Sequence, residues 1–408
     1  MLLNNGILKG IRVVDMTRVL AGPFATMIFG DMGADVIKIE HPSFGDDTRS
    51  WGPPNMGSES VYFLSVNRNK RSVAIDIKHP TAVSLLHEII GKSDVLIENF
   101  LPGKLDSLGF GYETLKELNP GLVYCSITGF GSDGPLSHRA GYDVVASAMG
   151  GLMHITGPEG GDPCKVGVAV TDICTGLFAH GAIFAALLQK QKTGFGQKID
   201  CDLLSTQVAV LSHIAANYLN CNLEGKRRGT SHPTIVPYQA FKDKNGKFLV
   251  VGAGNNWQFK KLCKRLGRSE LASDVRFENN QSRVKNSVEL TSILSNELAK
   301  RTCDEWLELF DGGDFPYGPV NNMQETFSNP QVLHNNMIME MYHPALGSTV
   351  KAPGPPVRYS SKESNSLAAA PPVLGQHTRE VLCELADCSD DDVNNLIAKK
   401  IVYDQKLS

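Results

Sequence analysis

"IRVVDMTRVLAGPFATMIFGDMGADVIKIE", residues 11–40, decides the fold. Its ends, "IRVVDM" and "DVIKIE", are short runs rich in β-branched residues. Between them "FATMIFGDMG" is apolar with helical spacing and closes on glycine. Strand, helix and strand in so short a span make a βαβ unit, whose strands run parallel because the helix carries the chain back. The alternation then repeats. "SVAIDIK" precedes the helical "AVSLLHEIIGKS", "DVLIENF" follows it, and "LKELNPG" closes a short helix before "LVYCSIT". Beyond these the pattern predicts a helix over 143–152 and a strand over 165–171. A long helix then runs from Ile173 to near Gly194, followed by the strand "QKIDCDL" and a helix over 203–220. Such alternation predicts an α/β fold, a parallel Rossmann-like sheet with helices on both faces and its site at the strand carboxyl ends.

The rhythm changes at "LEGKRRGTSHPT", residues 223–234, which reads as a polar linker. "YQAFKDKNGKFLVVG" then predicts a β-hairpin turned at Asn245-Gly246. Helical stretches over 256–266, 287–300 and 303–311 complete a smaller α+β domain. A Pro-rich extended stretch, 352–360, leads to helix over 373–402, which is expected to rejoin the first domain. The expected divisions are therefore a large domain over 1–222, a small one over 223–330, and a linker with a return to the large domain over 331–408.

A net charge of −3 gives no electrostatic case for nucleic acid or a membrane surface. The nine cysteines include no CxxC pair, which predicts a reducing compartment and no zinc site. The eleven histidines show neither HxH nor HxxxH spacing, so no metal is expected. Gly176 to Leu188, the most apolar stretch, reads as a core helix and not as a membrane span. "MLLNNGILKG" carries no signal-peptide pattern and the terminal "KLS" is not a peroxisomal signal, so a soluble intracellular protein is expected.

Four local patterns invite chemistry. "GFGSDG" (129–134) matches a dinucleotide fingerprint in letters, but "PLSHRAG" after it has no apolar helical period. It therefore predicts a glycine-rich loop. "NRNKRS" (67–72) reads as a solvated turn, with a phosphate site as the functional alternative. "ENFLPG" (98–103) sets Asn99, an aromatic ring and a proline at a strand end, a lining suited to a planar ligand. In "KVGVAVTDICTG" (165–176), Asp172 stands between a period-two valine run and an apolar helix. A carboxylate there either caps the helix or performs chemistry, because burying it unsatisfied is costly.

Taken in order, these segments resemble the class III CoA-transferases, the family of formyl-CoA and carnitine CoA-transferases. The resemblance rests on "GIRVVDMTRVLAGPFATMIFGDMGADVIKIEHPSFGDDTR", "NRNKRSVAIDIK", "DVLIENFLPGKLDSLGFGY", "NPGLVYCSITGFGSDGP", "GYDVVASAMGG", "TDICTG" and "LGQHTREVL". It implies an interlocked homodimer, a mitochondrial location, coenzyme A as co-substrate and no prosthetic group. The implied reaction moves CoA from an acyl-CoA such as succinyl-CoA to a free dicarboxylic acid such as glutarate. By resemblance Asp172 is the nucleophile, forming an aspartyl-CoA thioester, with its ionised form favoured by the helix N-terminus.

The same resemblance assigns CoA contacts to Val19, Leu20, His41, Ile75, Asp76, Ile77, Lys78, Asn99, Phe100, Leu101 and Arg139. A family arginine is replaced by His41, and a family lysine falls at Ala140 beside Arg139. Arg18, Arg68 and Tyr142 are candidate acceptor contacts, since a buried second carboxylate needs a cationic partner. Two alternatives stay open. The same fold hosts α-methylacyl-CoA racemases, whose motif has histidine where this chain reads Tyr142 before Asp143. The other is a non-catalytic CoA- or nucleotide-binding module.

Overall fold

The computed structural model describes residues 6–360 and 368–405. The opening residues 1–5 and the closing "KLS" (406–408), read above for targeting signals, lie outside the described residues. The chain forms two compact units. The first comprises Met1–Leu152, Val166–Leu223 and Leu333–Ser408, and the second Met153–Lys165 and Glu224–Val332.

The first unit is built on a seven-stranded sheet. Its parallel strands are β1 (Arg12–Met16), β2 (Asp35–Glu40), β3 (Lys70–Ile75), β4 (Val95–Glu98), β5 (Val123–Thr128) and β6 (Lys198–Asp202). Across the sheet they lie in the order β3-β2-β1-β4-β5-β6. The chain winds outward from β1 to one edge, then restarts at β4 on the other side of β1. The loops after β1 and β4 therefore diverge and leave a crevice, the place where doubly wound sheets bind ligands. The short strand Val402–Tyr403 adds to the β3 edge in antiparallel sense, so the C-terminal tail packs in this unit.

Alternation along β1 shows why both faces are covered. Val13 joins one core layer with Ala21 and Phe29 of α1 (Ala21–Asp31). Val14 joins the opposite layer with Leu86 and Ile90 of the helix Pro80–Gly91 and Leu382 near the C-terminus. Between the first two turns of this winding lies α2 (Val61–Val66), and after β5 comes α3 (Asp143–Met149). The helix expected over 143–152 thus ends earlier, at Met149.

The strand expected over 165–171 does not form. Among the described residues the segment joins no sheet, and alternation alone does not make a strand without a ladder to enter. Instead the N–H of Val170 donates to the carbonyl of Val168 at 2.9 Å, and α4 (Val170–Thr193) begins there. This helix has 24 residues and ends on Gly194 in the left-handed conformation. Thr171, Thr175, Ala179, Ile183 and Ala186 form its buried stripe. Gly176 lies on that stripe because a Cβ there would sit 2.6 Å from the carbonyl oxygen of Ala21. The helix expected over 203–220 is split at Ser212 (φ 51°) into α5 (Leu203–Val210) and α6 (His213–Cys221).

"NRNKRS" is neither a solvated turn nor a phosphate site: all six residues are buried. Arg68 forks onto Asp31 with contacts of 2.7 and 2.6 Å, and Arg71 onto Asp35 at 2.9 and 2.7 Å. Lys70 donates to Asp15 at 3.0 Å and to Asn67 at 2.8 Å. The acids come from β1, β2 and the end of α1, so this neutralisation exists only after the sheet assembles.

In the second unit, the hairpin β7 (Tyr238–Lys242) and β8 (Phe248–Gly252) pairs as expected from Asn245-Gly246. β9 (Tyr317–Pro319) completes a three-stranded antiparallel sheet. Phe241, Leu249, Phe259, Leu294 and Trp306 share its core with the surrounding helices.

Candidate active site

A cavity of about 580 Å³ opens at the carboxyl ends of the strands. Its first wall is the loop after β1, carrying Arg18, Val19 and Leu20. Val19 adopts φ 72°, a left-handed backbone that a β-branched residue enters only at a cost. Hydrogen bonds on each side hold it there. Asn99, just past β4, accepts from the Arg18 N–H at 3.0 Å, and its amide donates to the Arg18 carbonyl at 2.8 Å. Asp46 accepts from the Val19 N–H at 3.2 Å.

Asp46 is itself fixed from below. Lys38 of β2 pairs with it at 2.9 Å and donates to the Thr17 carbonyl at 2.8 Å, with both side chains fully buried. Burial alone works to lower the Lys38 pKa, but the carboxylates of Asp46, Asp15 and Glu40 outweigh it and keep the ammonium charged. Lys70 lacks that surplus of acids. Burial pulls it down to about 8, although Asp15 opposes the fall.

His41, Ile75, Asp76, Ile77 and Lys78 line the side beyond β2 and β3. His41 stacks on Phe44 with ring centres 3.8 Å apart, giving the cavity a flat aromatic shelf. Asn99, Phe100 and Leu101 line the opposite side, while Arg139 and Tyr142 approach from beyond β5. Thus every residue that the resemblance assigned to CoA borders this cavity. Arg18 and Tyr142 do too, but Arg68 does not. The Arg68 guanidinium is consumed by Asp31 and by the Pro353 carbonyl, so it has no free fork for a substrate. Arg18 is paired with Asp47 at 3.0 Å. Arg139 lies over the Phe130 ring, 5.7 Å from its centre, and no ion pair is found for it among the described residues. Gly129 reaches the cavity as part of a loop packed on Gly141, not as a helix-opening fingerprint.

Asp172 lines the cavity as well and is only 8% exposed. It is the third residue of α4 and not its cap; the capping position is Ala169, which has no side-chain oxygen to offer. Asp143, the first residue of α3, supplies it instead. Its Oδ1 accepts from the N–H of Thr171 at 2.8 Å and of Asp172 at 3.3 Å. Ser147 and Gln207 hold the Thr171 hydroxyl at 2.9 and 2.7 Å. Among the described residues, no hydrogen-bond donor is directed at the Asp172 carboxylate.

The consequence reverses the electrostatic expectation. Burial, with the Asp143 charge adding to it, pushes the Asp172 pKa up to about 7. The helix N-terminus does not hold this group ionised. Tyr62 on α2 is raised as well, by burial first and then by the charges of Asp172 and Asp143. Tyr62, Lys38, Asp46 and Asp143 were not singled out as site residues in the sequence. Asp46, Asp143 and Lys38 lie in the quoted segments "GDDTR", "GYD" and "DVIKIE", whereas no sequence signal pointed to Tyr62. No group of three or more His, Cys, Asp or Glu side chains is placed to hold a metal among the described residues.

A doubly wound sheet whose switch point opens into a cavity of this size, with the buried Asp172 carboxylate on its wall, is the architecture of an enzyme that handles a nucleotide-sized ligand. The CoA-transferase family III model matches residues 8–378, and the chain belongs to that family: it is a CoA-transferase with coenzyme A as co-substrate. It is 55% identical over 395 residues to succinyl-CoA:glutarate CoA-transferase of Homo sapiens, covering 97% of this chain and 90% of that protein. It is 41% identical to succinate–glutarate CoA-transferase of Agrobacterium fabrum, covering 93% of this chain and 95% of that one. A crystal structure of a CAIB/BAIF family protein from Brucella suis superposes with a TM-score of 0.83 at 40% identity, covering 93% of this chain and all 100% of that one.

An acid with a raised folded-state pKa opposes folding once it must ionise. The Asp172 penalty is absent below its unfolded value near 3.8, grows as pH rises, and is complete above about 7. Asp172→Asn should therefore stabilise the protein by about 2–4 kcal/mol at pH 8 and by much less at pH 4. Thermal unfolding at the two pH values checks this; equal gains at both would show that the carboxyl is not raised.

Proposed function

We propose that this enzyme transfers CoA from succinyl-CoA to glutarate, with Asp172 as the covalent nucleophile. The observation that carries the reading is the buried Asp172 carboxylate, with no hydrogen-bond donor directed at it among the described residues, on the wall of the cavity that also holds the residues matching the family's CoA contacts. The substrates follow from the relatives named above, which act on that pair.

The Asp172 carboxylate attacks the thioester carbonyl of succinyl-CoA. The C–S bond breaks, leaving a mixed anhydride on the enzyme and CoA as thiolate. The thiolate attacks the Asp172 acyl carbon, expels succinate and forms an aspartyl-CoA thioester. A glutarate carboxylate attacks that thioester to give a second anhydride and the thiolate again. The thiolate then takes the glutaryl group and regenerates the Asp172 carboxylate. Each step exchanges acyl bonds of comparable energy, so no ATP is consumed. The racemase alternative loses ground because Tyr142 stands where a basic histidine is needed, and unperturbed tyrosine titrates near 10.

The acting form is proposed to be a homodimer. Leu177, Phe178 and Leu188 on α4 and Leu219 on α6 are large apolar side chains left exposed on the first unit, the kind of surface that an obligate partner covers. A mitochondrial location rests on the resemblance alone.

Asp172→Ala should lose at least a thousandfold in transfer rate while unfolding at no lower a temperature. Hydroxylamine added during turnover should modify the wild type at Asp172. Labelling of another carboxylate would overturn the assignment.

Arg139→Ala should discriminate against glutarate relative to valerate by about 2–4 kcal/mol if its guanidinium holds the distal carboxylate. A uniform rise in KM for acyl-CoA, with the acceptor ratio unchanged, would assign it to CoA phosphates instead.

Sedimentation at nanomolar concentration should still give a dimer. A folded monomer there would refute the proposed assembly.

A further inference from the structure

Asp143 is spent on no step of the transfer, yet it touches the segment that carries the nucleophile. The first amides of any helix lack partners within the helix. In α4 those of Thr171 and Asp172 find one in Asp143, across 28 and 29 residues of sequence. This bond fixes where α4 begins, and therefore where Asp172 sits on the cavity wall. Ser147, one turn further along α3, reaches the Thr171 hydroxyl at 2.9 Å, so α3 grips the start of α4 at two points.

Position also brings charge. Asp143 is 7% exposed and the described residues include no cation bonded to it. Among the described residues, backbone amides alone donate to its carboxylate.

We infer that Asp143 is a positioning residue of the transfer reaction: by accepting from the Thr171 and Asp172 amides it holds the first turn of α4, and with it the nucleophile, in place, and it sets a second acid beside that nucleophile. The second acid adds to burial in making the ionised nucleophile more basic. A more basic carboxylate attacks a thioester faster once ionised, at the cost of being ionised over a narrower pH range. The role rests on Asp172 being the nucleophile.

The other titratable groups near the pair do not supply this effect. Tyr62 on α2 and Cys174 on α4 are both pushed up by burial, with the nearby acid charges adding to it, and so stay neutral. Asp46, from the segment after β2, is neutralised by Lys38 at 2.9 Å. Gln207 of α5 is uncharged. Burial raises Asp172 first and Asp143 second, so removing the Asp143 charge should shift part of the rise and not all of it.

Asp143→Asn separates charge from geometry, since an amide oxygen still accepts from Thr171. With saturating succinyl-CoA and glutarate, the wild-type kcat should rise through an acid limb near pH 7. In Asp143→Asn that limb should move down by about half a pH unit or more, and the plateau should fall about three- to tenfold because the nucleophile is weaker. Asp143→Ala, which loses the acceptor too, should shift the limb similarly, lower the plateau further and unfold at a lower temperature. An Asp143→Asn limb that coincides with the wild type overturns the inference. So does a wild-type limb below pH 5, a result that needs no variant to fold. Hydroxylamine labelling keeps the two claims apart. A label elsewhere than Asp172 defeats the nucleophile reading, whereas a label on Asp172 with unchanged limbs defeats only the role of Asp143.

Discussion

The buried ion pair between Asp15 and Lys70, 3.0 Å apart with neither side chain exposed, is what the rest of the site depends on. It joins the carboxyl end of β1 to the start of β3 across the intervening β2. Asp15 also accepts from Thr17 and Thr26, which bends the chain out of β1 and into α1. One strand over, Lys38 repeats the arrangement, reaching Thr17 from below and pairing with Asp46. Losing one member of such a pair leaves an uncompensated charge in a dry core, which costs several kcal/mol. The crevice between β1 and β4 is therefore lined by backbone that has little freedom to relax. That rigidity is what keeps Val19 in its strained left-handed conformation.

At Asp172 the physics is inverted. Around Lys38 and Asp15 burial is matched by opposite charge; around Asp172 burial is unmatched and a like charge is added. Dehydration opposes ionisation in both places; opposite charges overcome it around Asp15 and Lys38, and none does so around Asp172. Under the proposed mechanism, in which Asp172 attacks a thioester, poor solvation leaves the ionised carboxylate reactive.

The α/β architecture was legible in residues 11–40 and in the repeats that follow, since strand and helix periods differ and each strand is buried on both faces. The hairpin at Asn245-Gly246 was legible for a similar reason: that turn chemistry is local. Where reading failed, the missing information was a partner. Val166, Val168 and Val170 alternate as a strand should, but among the described residues this segment joins no sheet. Arg68 and Arg71 look like an anion site until Asp31 and Asp35 fold onto them. Asp172 looks like a cap until Asp143, from another helix, takes that place.

By itself the sequence determined the α/β alternation of the first unit outside residues 165–171, the family and its reaction, and the stretches from which the cavity is lined. All of these are written in local periods and in ordered motifs. Only the tertiary structure decided which charges are spent on one another and which remain for a substrate. It removed Arg68 from the site, left Arg139 in it, and raised Asp172 towards neutrality. The reason is that a side chain's charge state and availability depend on solvent exclusion and on neighbours tens to hundreds of residues away, and neither exists until the chain has folded.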